Sequence, residues 1–329
     1  MAQPKLKELK IGESFIGFYL VESKRVRQTR EGGFFIDLDL RDVSGTINGK
    51  IWEDFERYQE EFERGDIVKL EGIVESYRDQ AQVRVKRIRK ARAEDQIDYA
   101  LIIPSTRQDV NQMLGEIKEI LSGVKNSYLQ KLLELYWNDE GFMEKLKTSP
   151  AARNLHHSYL GGLLEHIWRM LKIAHLLARE VYRALDYDLI ITGTFLHDLG
   201  KIDELNSFPL PSYTRAGYLE GHIILGLKSF QERVSLISDF PEELKLHLEH
   251  IILSHHGEKE WGSPVLPATS EAMLIHFIDN LDAKLAMIEE AIEADWNQNE
   301  EFTGWHQVLE RHIYKRRVKD IKTEGDDEL

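Results

Sequence analysis

Histidine and aspartate recur at places where the sequence otherwise builds apolar helices. These residues are His166 in GLLEHIW, His197 and Asp198 in TGTFLHDLGK, His222 in EGHIIL, His255 in ILSHHG, and Asp279 in HFIDNLD. A buried ionised group is costly unless it has a hydrogen-bond partner or a metal ion. Taken alone, each histidine is more often a hydrogen-bonded core residue, but together they form a candidate metal site.

The number and type of these groups fit two divalent ions. His197 and Asp198 are adjacent and would diverge by about 100° within a helix. Gly200 allows the backbone to leave the helical conformation just after them. At such a helix end the side chains of both residues can converge on one ion. A carboxylate can bridge two ions, whereas a histidine binds one, so we predict that Asp198 is the bridge. Cysteine is absent, and a His/carboxylate donor set suits Mn, Fe, Co, Ni or Zn better than Mg.

Three further residues near these candidate ligands have more than one interpretation. His255 is favoured over His256 as the ligand, with His256 second. His157 precedes the first ligand helix and could contact a substrate phosphate or cap the helix. Lys201 could neutralise charge on a transferring phosphate, or it could be a cation favoured by a helix terminus.

The elements that must position these groups are helices. Residues 93–106, with Pro104, are predicted to be a linker, and helical spacing dominates beyond them. Helices are predicted near 187–198, 216–237, 241–255 and 269–293, and several are apolar on more than one face, as expected inside a bundle. We therefore predict an all-α domain over 107–318 and a disordered acidic tail over 319–329.

Residues 1–92 have a different character. Alternating β-branched and aromatic residues predict several strands, and EDFERYQEEFERG predicts a short helix ending at Gly65. Strands with one helix before the last pair are typical of an OB-fold barrel. The predicted fold class is therefore α+β, with an N-terminal OB-fold domain followed by a helical domain.

Charge also separates the two parts. Net charge is −14 overall, but residues 1–92 carry 19 Lys+Arg and 17 Asp+Glu, while no histidine occurs before His156. OB barrels bind single strands with basic grooves and stacking aromatics. The candidate nucleic-acid-binding residues are Lys24, Arg25, Arg27, Phe34, Phe35, Trp52, Tyr77, Arg78, Arg84 and Lys86. Each could instead be a core aromatic or a solvated charge.

The sequence has no apolar run long enough to span a membrane and no apolar signal region. Together with the lack of cysteine, this predicts a cytoplasmic protein. The oligomeric state is not defined by the sequence.

The histidine pattern resembles the HD-domain metal-dependent phosphohydrolases. Their order is a lone His, then His-Asp, then a late Asp, matched here by His166, His197-Asp198 and Asp279. A dinuclear subset adds two histidines, matched by His222 and His255, and carries a Lys just after the His-Asp pair. With the barrel, HHSYLGGLLEH and SHHGEKEWGSPVLPATSEAMLIHFIDNLDAK, nearly the whole chain resembles the YhaM family of bacterial 3′-to-5′ exoribonucleases.

This resemblance implies a manganese-dependent exonuclease that degrades single-stranded RNA, with DNA as a further candidate, to nucleoside monophosphates. One alternative is an HD-domain phosphodiesterase or phosphatase acting on small or cyclic nucleotides. A barrel that binds strands argues against it, since a small substrate needs no such module. A second alternative is a non-catalytic single-strand-binding protein. The complete ligand set argues against that, because a structural site would not need an open position.

Overall fold

Five strands of the first part close into a barrel in the computed structural model, which describes residues 3–29, 32–78, 80–153, 157–295 and 300–316. They are β1 (Ser14–Gln28), β2 (Phe34–Asp42), β3 (Gly45–Ile51), β4 (Ile67–Tyr77) and β5 (Gln80–Lys90). Their order is β1-β2-β3-β5-β4, with β3 and β5 parallel and the other pairs antiparallel. The short helix α1 (Phe55–Gln59) joins β3 to β4. The predicted OB-type barrel is confirmed.

Alternation explains the barrel core. Ile36, Leu38 and Leu40 on β2 are wholly buried, whereas Asp39 and Arg41 are only partly buried. Strand β4 has a register shift at Gly72, where a Cβ atom would lie 2.7 Å from Val83 Cγ1. Only glycine fits this close approach, and such irregularities help strands to curl into a closed barrel.

The second part is mainly helical, as predicted. Its helices are α2 (Val110–Ser122), α3 (Ser127–Trp137), α4 (Glu140–Thr148), α5 (Gly162–Leu176), α6 (Tyr187–Leu196), α7 (Lys201–Glu204), α8 (Arg215–Val234), α9 (Glu242–Ser254) and α10 (Ser270–Ala294). Helix α6 is buried all round from Leu189 to Leu196 and contacts α5 and α9. It is the central helix of the bundle, and its carboxyl end carries His197 and Asp198.

Two short hairpins accompany the helices and were not predicted. One pairs β6 (Leu205–Asn206) with β7 (Ser212–Tyr213), and the other pairs β8 (Phe302–His306) with β9 (Arg311–Tyr314). In the second hairpin Thr303, Leu309 and Ile313 are buried. Their burial stabilises a two-stranded arrangement that the apparent helical spacing of the sequence does not reveal.

The described residues divide into two compact units, one comprising those up to 102 and those between 286 and 316, the other comprising those between 103 and 285. This division differs from the predicted boundaries at 286–316, which group with the first unit instead of the helical domain. The predicted tail at 319–329 lies outside the described residues. None of the described helices combines the length and apolar character needed to cross a lipid bilayer.

Candidate metal centre and nucleic-acid interface

Asp198 lies at the centre of a group of four histidines in the helical unit. It follows the end of α6 and is 1% exposed. The four histidines come from α5, the end of α6, α8 and the residue after α9, and each directs its Nε2 atom at the Asp198 carboxylate. His166 and His197 lie 3.5 Å from Oδ2, and His222 and His255 lie 3.5 and 3.4 Å from Oδ1.

The other ring nitrogen of each histidine is already engaged. Nδ1 of His197 donates to the Thr194 carbonyl at 2.7 Å, and Nδ1 of His255 donates to the Ile252 carbonyl at 2.8 Å. Nδ1 of His222 lies 3.2 Å from Glu204 Oε1. Because a carbonyl only accepts, these bonds leave Nε2 as a lone-pair donor facing a carboxylate. Metal-binding histidines are oriented by the same kind of outer contact.

The facing atoms fit a metal ion better than they fit one another. Within the described ranges, Nε2 of His197, His222 and His255 and Oδ1 of Asp198 are buried without a hydrogen-bond partner. Two ligands on one ion at about 2.1 Å are separated by roughly 3.0–3.4 Å, close to the distances between these atoms. The donor set therefore fits divalent ions on both sides of Asp198.

Asp279 and Asp282 complete the site around His166. His166 Nε2 lies 3.3 Å from Asp279 Oδ1, and its Nδ1 lies 2.7 Å from Asp282 Oδ2. Burial lowers the pKa of His166, but the hydrogen bonds to these two carboxylates outweigh it and raise the pKa to about 10. The surroundings of His166 thus favour a positive charge at Nε2, which a metal ion would also supply.

Sequence reasoning missed Asp282 and Glu204, which orient His166 and His222. Asp282 lies three residues after Asp279, so both lie on the same face of α10. That spacing in IDNLDAK is the signal that could have found it. Glu204 leaves no comparable signal, because only the fold brings α7 against the start of α8. A Cβ atom on Gly200 would lie 2.0 Å from the His222 carbonyl oxygen, so this approach requires glycine.

His157 lies one layer behind the central carboxylate. It is 1% exposed, with Nε2 3.2 Å from Asp282 Oδ2 and Nδ1 2.7 Å from the Tyr159 hydroxyl. That hydroxyl donates to Glu165 at 2.9 Å. Asp282 and His166 therefore stand between His157 and Asp198. The neighbouring His156 lies outside the described residues.

Lys201 contacts Asp198 directly. Its Nζ atom lies 2.6 Å from Oδ2 of Asp198. Burial alone would raise the pKa of Asp198, but the positive charge of Lys201 and the adjacent His197 ring hold the pKa of Asp198 well below its usual range. Asp198 is therefore ionised, and Lys201 places a positive charge beside it.

His256 lies beside the second pair of histidines. Its ring centroid is 4.4 Å from that of His255 and 5.1 Å from that of His222, and its Nδ1 lies 2.9 Å from the Trp261 carbonyl. Burial and the two neighbouring rings lower the pKa of His256 to about 3. His256 is thus neutral and near the site, whereas His255 is the one that faces Asp198.

The barrel brings part of the predicted nucleic-acid-binding set onto one outer face. The rings of Phe35 on β2 and Trp52 after β3 stack with centroids 4.5 Å apart, and Lys50 Nζ lies 5.2 Å from the Phe35 centroid. Arg27 on β1 pairs with Asp37 at 2.7 Å. The outer face of strands 2 and 3 is the binding face of many OB folds.

The remaining candidates differ in their exposure and in their contacts. Arg25 and Lys86 are exposed, and the ring of Phe34 stacks on that of Phe55 with centroids 5.6 Å apart. The guanidinium of Arg78 lies 5.3 Å from the Tyr77 ring centroid. Arg84 forms an ion pair with Glu75 at 2.7 Å. Lys24 is different because its side chain is only 6% exposed and donates to the carbonyls of Gln59 and Phe62. Its charge holds the connection after α1, so Lys24 is corrected from a strand-binding residue to a structural one.

Comparison with known proteins agrees with both halves of this architecture. Residues 21–91 match the family model of the OB-fold nucleic acid binding domain, and residues 163–284 match that of the HD domain. Fold and site thus define an HD-domain protein with an N-terminal OB-fold domain. The 3′-5′ exoribonuclease YhaM of Bacillus subtilis (strain 168) is 34% identical over 285 residues, covering 86% of this chain and 89% of that protein. The chain belongs to the YhaM family.

Solved structures with OB folds resemble the chain only weakly. The second OB-fold domain of replication protein A from Methanococcus maripaludis is 24% identical over 30% of this chain and all of that one, with a TM-score of 0.23. The single-stranded DNA binding protein of Thermus aquaticus is 20% identical over 26% of this chain and 43% of that one, also at 0.23. Structural similarity at these TM-scores indicates nothing about function.

Proposed function

We propose that this protein is a metal-dependent 3′-to-5′ exoribonuclease that hydrolyses single-stranded RNA to nucleoside monophosphates in the cytoplasm. The observation that carries the proposal is the convergence of four histidine Nε2 atoms on the two oxygens of Asp198. Membership of the YhaM family supports the direction of cleavage and the choice of RNA, because the relative is named for both.

The donor set supports two divalent ions that share Asp198. His166, His197 and Asp279 would hold one ion on the Oδ2 side, and His222 and His255 would hold the other on the Oδ1 side. Bound divalent ions activate a water molecule and bind phosphate oxygens. We propose manganese as the native metal because the resemblance to the exoribonuclease family implies it. The mixed His/carboxylate donor set suits Mn, Fe, Co, Ni or Zn better than magnesium.

The residues of the chain would contribute charge and orientation. Lys201 would neutralise charge on the phosphate, as positioned cations do in phosphoryl transfer. Glu204 and Asp282 would fix the rings of His222 and His166, which keeps Nε2 of each aimed at the site. His256, which is neutral and adjacent, is a candidate for contact with substrate. His157 is buried behind Asp282 and would orient that carboxylate instead.

We further propose that the Phe35–Trp52 stack binds bases of the RNA strand. Trp52 is 48% exposed although it is a large aromatic residue, and Lys50 lies over the ring of its partner Phe35. Bases stack on such platforms whatever their identity, which suits an enzyme that degrades many sequences. The stack lies on strand 2 and at the end of strand 3, and the face of these two strands is one through which OB folds bind oligonucleotides.

Replacing Trp52 by alanine should weaken RNA binding about 5- to 100-fold, because stacking contributes about 1–3 kcal/mol per base. Fluorescence anisotropy with a labelled oligoadenylate measures the dissociation constant. Trp305→Ala is the matched control, since Trp305 is a similarly exposed tryptophan on the β8–β9 hairpin. Equal affinities for the two variants would show that the barrel face does not bind the strand.

A side-by-side assay of three substrates tests the proposed activity. With Mn²⁺ present, we expect the protein to release mononucleotides from polyadenylate and to leave a cyclic dinucleotide and a nucleoside triphosphate largely intact. Chromatography of the products measures all three reactions. Preference for the cyclic dinucleotide or the triphosphate would instead indicate a small-molecule phosphohydrolase, and binding of polyadenylate without any hydrolysis would indicate a non-catalytic binding protein.

A further inference from the structure

A cluster of two tyrosines and one arginine, Tyr213, Tyr218 and Arg153, lies on the surface of the helical unit. The rings of Tyr213 and Tyr218 meet edge to face with centroids 6.1 Å apart, and the Arg153 guanidinium lies 5.6 Å from the Tyr213 centroid. Tyr213 is 42% exposed and Tyr218 is 78% exposed. Phe208, on the same hairpin as Tyr213, is also exposed, so aromatic surface is concentrated here.

Short connections hold this cluster next to the metal centre. Tyr213 pairs with Leu205 across the β6–β7 hairpin, which places their Cα atoms about 5 Å apart. The residue before Leu205 is Glu204, whose Oε1 lies 3.0 Å from the His222 amide nitrogen and 3.2 Å from its Nδ1. Tyr213 is thus separated from a metal-facing histidine by one strand pairing and one hydrogen-bonded carboxylate.

The helix that carries His222 is anchored at the same place. Thr214 follows Tyr213 and caps α8 by accepting from the Gly217 amide at 2.8 Å. Its hydroxyl donates to the Asp203 carbonyl at 2.7 Å, and its amide donates to the Glu204 carbonyl at 2.9 Å. These bonds fix the backbone beneath Tyr213, so its ring is presented by a rigid support rather than by a free loop.

We propose that this cluster is the subsite for the terminal nucleotide of the strand, with the base stacked on the tyrosines and Arg153 beside its phosphate. Aromatic rings and arginine planes are the groups on which proteins stack unpaired bases. Arginine also binds phosphate through its planar donors. The inference rests on the proposed function, because a phosphate cut at the metal centre needs its base held nearby. It assigns that task to residues outside the metal set and outside the barrel.

Hydrolysis of two phosphodiesters by the full-length protein with Mn²⁺ tests the subsite. One substrate is penta-adenylate, which has bases, and the other is methyl p-nitrophenyl phosphate, which has none. For Tyr213→Ala we expect KM for penta-adenylate to rise about 5- to 100-fold, because lost stacking weakens ground-state and transition-state binding alike. Hydrolysis of the base-free diester should stay within about twofold of wild type, as for a surface substitution.

Two further variants control for indirect effects. Tyr213→Phe keeps the ring and should restore the KM for penta-adenylate. Tyr182→Ala removes another exposed tyrosine, which lies six residues beyond the end of α5 and roughly 20 Å from His166. This variant should change the hydrolysis of neither substrate. Thermal melting of each variant checks that the helical unit still folds.

The outcomes separate the subsite from the proposed function. If wild type degrades penta-adenylate but Tyr213→Ala has an unchanged KM, the subsite is wrong and the exonuclease proposal stands. A parallel loss on both substrates would mean that Tyr213 supports His222 and does not bind a base, which also overturns the inference. If wild type does not degrade penta-adenylate at all, the proposed function itself fails.

Discussion

Replacing Asp198 by asparagine is expected to abolish RNA hydrolysis, with a loss of at least about 10³-fold, more than the 10- to 100-fold typical of an outer-shell partner. Asparagine keeps the size of the side chain but removes the charge that all four histidines face and that Lys201 contacts. RNA affinity should stay within about twofold, because the proposed strand-binding residues of the barrel and of the tyrosine subsite are unchanged. The initial rate of mononucleotide release and anisotropy of the same labelled RNA measure the two quantities.

A matched control is available on the neighbouring short helix. Asp203 on α7 is 55% exposed at its side chain and pairs only loosely with Lys145, at 3.3 Å. Asp203→Asn removes the same charge at a surface position and should leave both the rate and the affinity close to wild type. Hydrolysis by Asp198→Asn at the rate of Asp203→Asn would remove Asp198 from the reaction.

Removing divalent metal is expected to abolish hydrolysis and to lower the melting temperature by about 10 °C. Tight binding to the folded state alone contributes about 4 kcal/mol when the ion is at a thousand times its dissociation constant. A domain of this size loses about 2–4 °C per kcal/mol. The physical cause is the buried Nε2 atoms of His197, His222 and His255, which the ion would satisfy.

Calorimetry before and after dialysis against a chelator measures the change, and addition of Mn²⁺ should restore both stability and activity. In Asp198→Asn the shift on adding metal should be much smaller, because the shared ligand has lost its charge. Full activity of a chelated sample shown by elemental analysis to be free of metal would contradict the proposed mechanism.

Much of the candidate site could be predicted because its residues interrupt apolar helices. The structure brings together all six residues that this pattern indicates, which are His166, His197, His222, His255, Asp198 and Asp279. Their roles as ligands stay predictions. The barrel was predictable for a related reason, since apolar and polar residues alternate over 36–41 on β2 and 68–71 on β4, as is typical of strands that bury one face.

The rest depends on contacts that the sequence does not encode locally. Asp282 and Glu204 are ordinary acidic residues until the fold brings them to Nδ1 of His166 and His222. Lys24 looked like a solvated or strand-binding charge, but its side chain is buried and donates hydrogen bonds to two carbonyls. The β8–β9 hairpin was missed because Leu309 and Ile313, four residues apart, have helical spacing although they lie on a hairpin.

The most direct test of the central claim uses an RNA labelled at its 5′ end, incubated with Mn²⁺ and either wild type or Asp198→Asn. If the Asp198-centred site acts as a 3′-to-5′ exonuclease, wild type should give a series of labelled products shortened progressively from the 3′ end. The variant should leave the RNA at full length. Immediate release of the label as a mononucleotide, or the same series of products from Asp198→Asn, would contradict it.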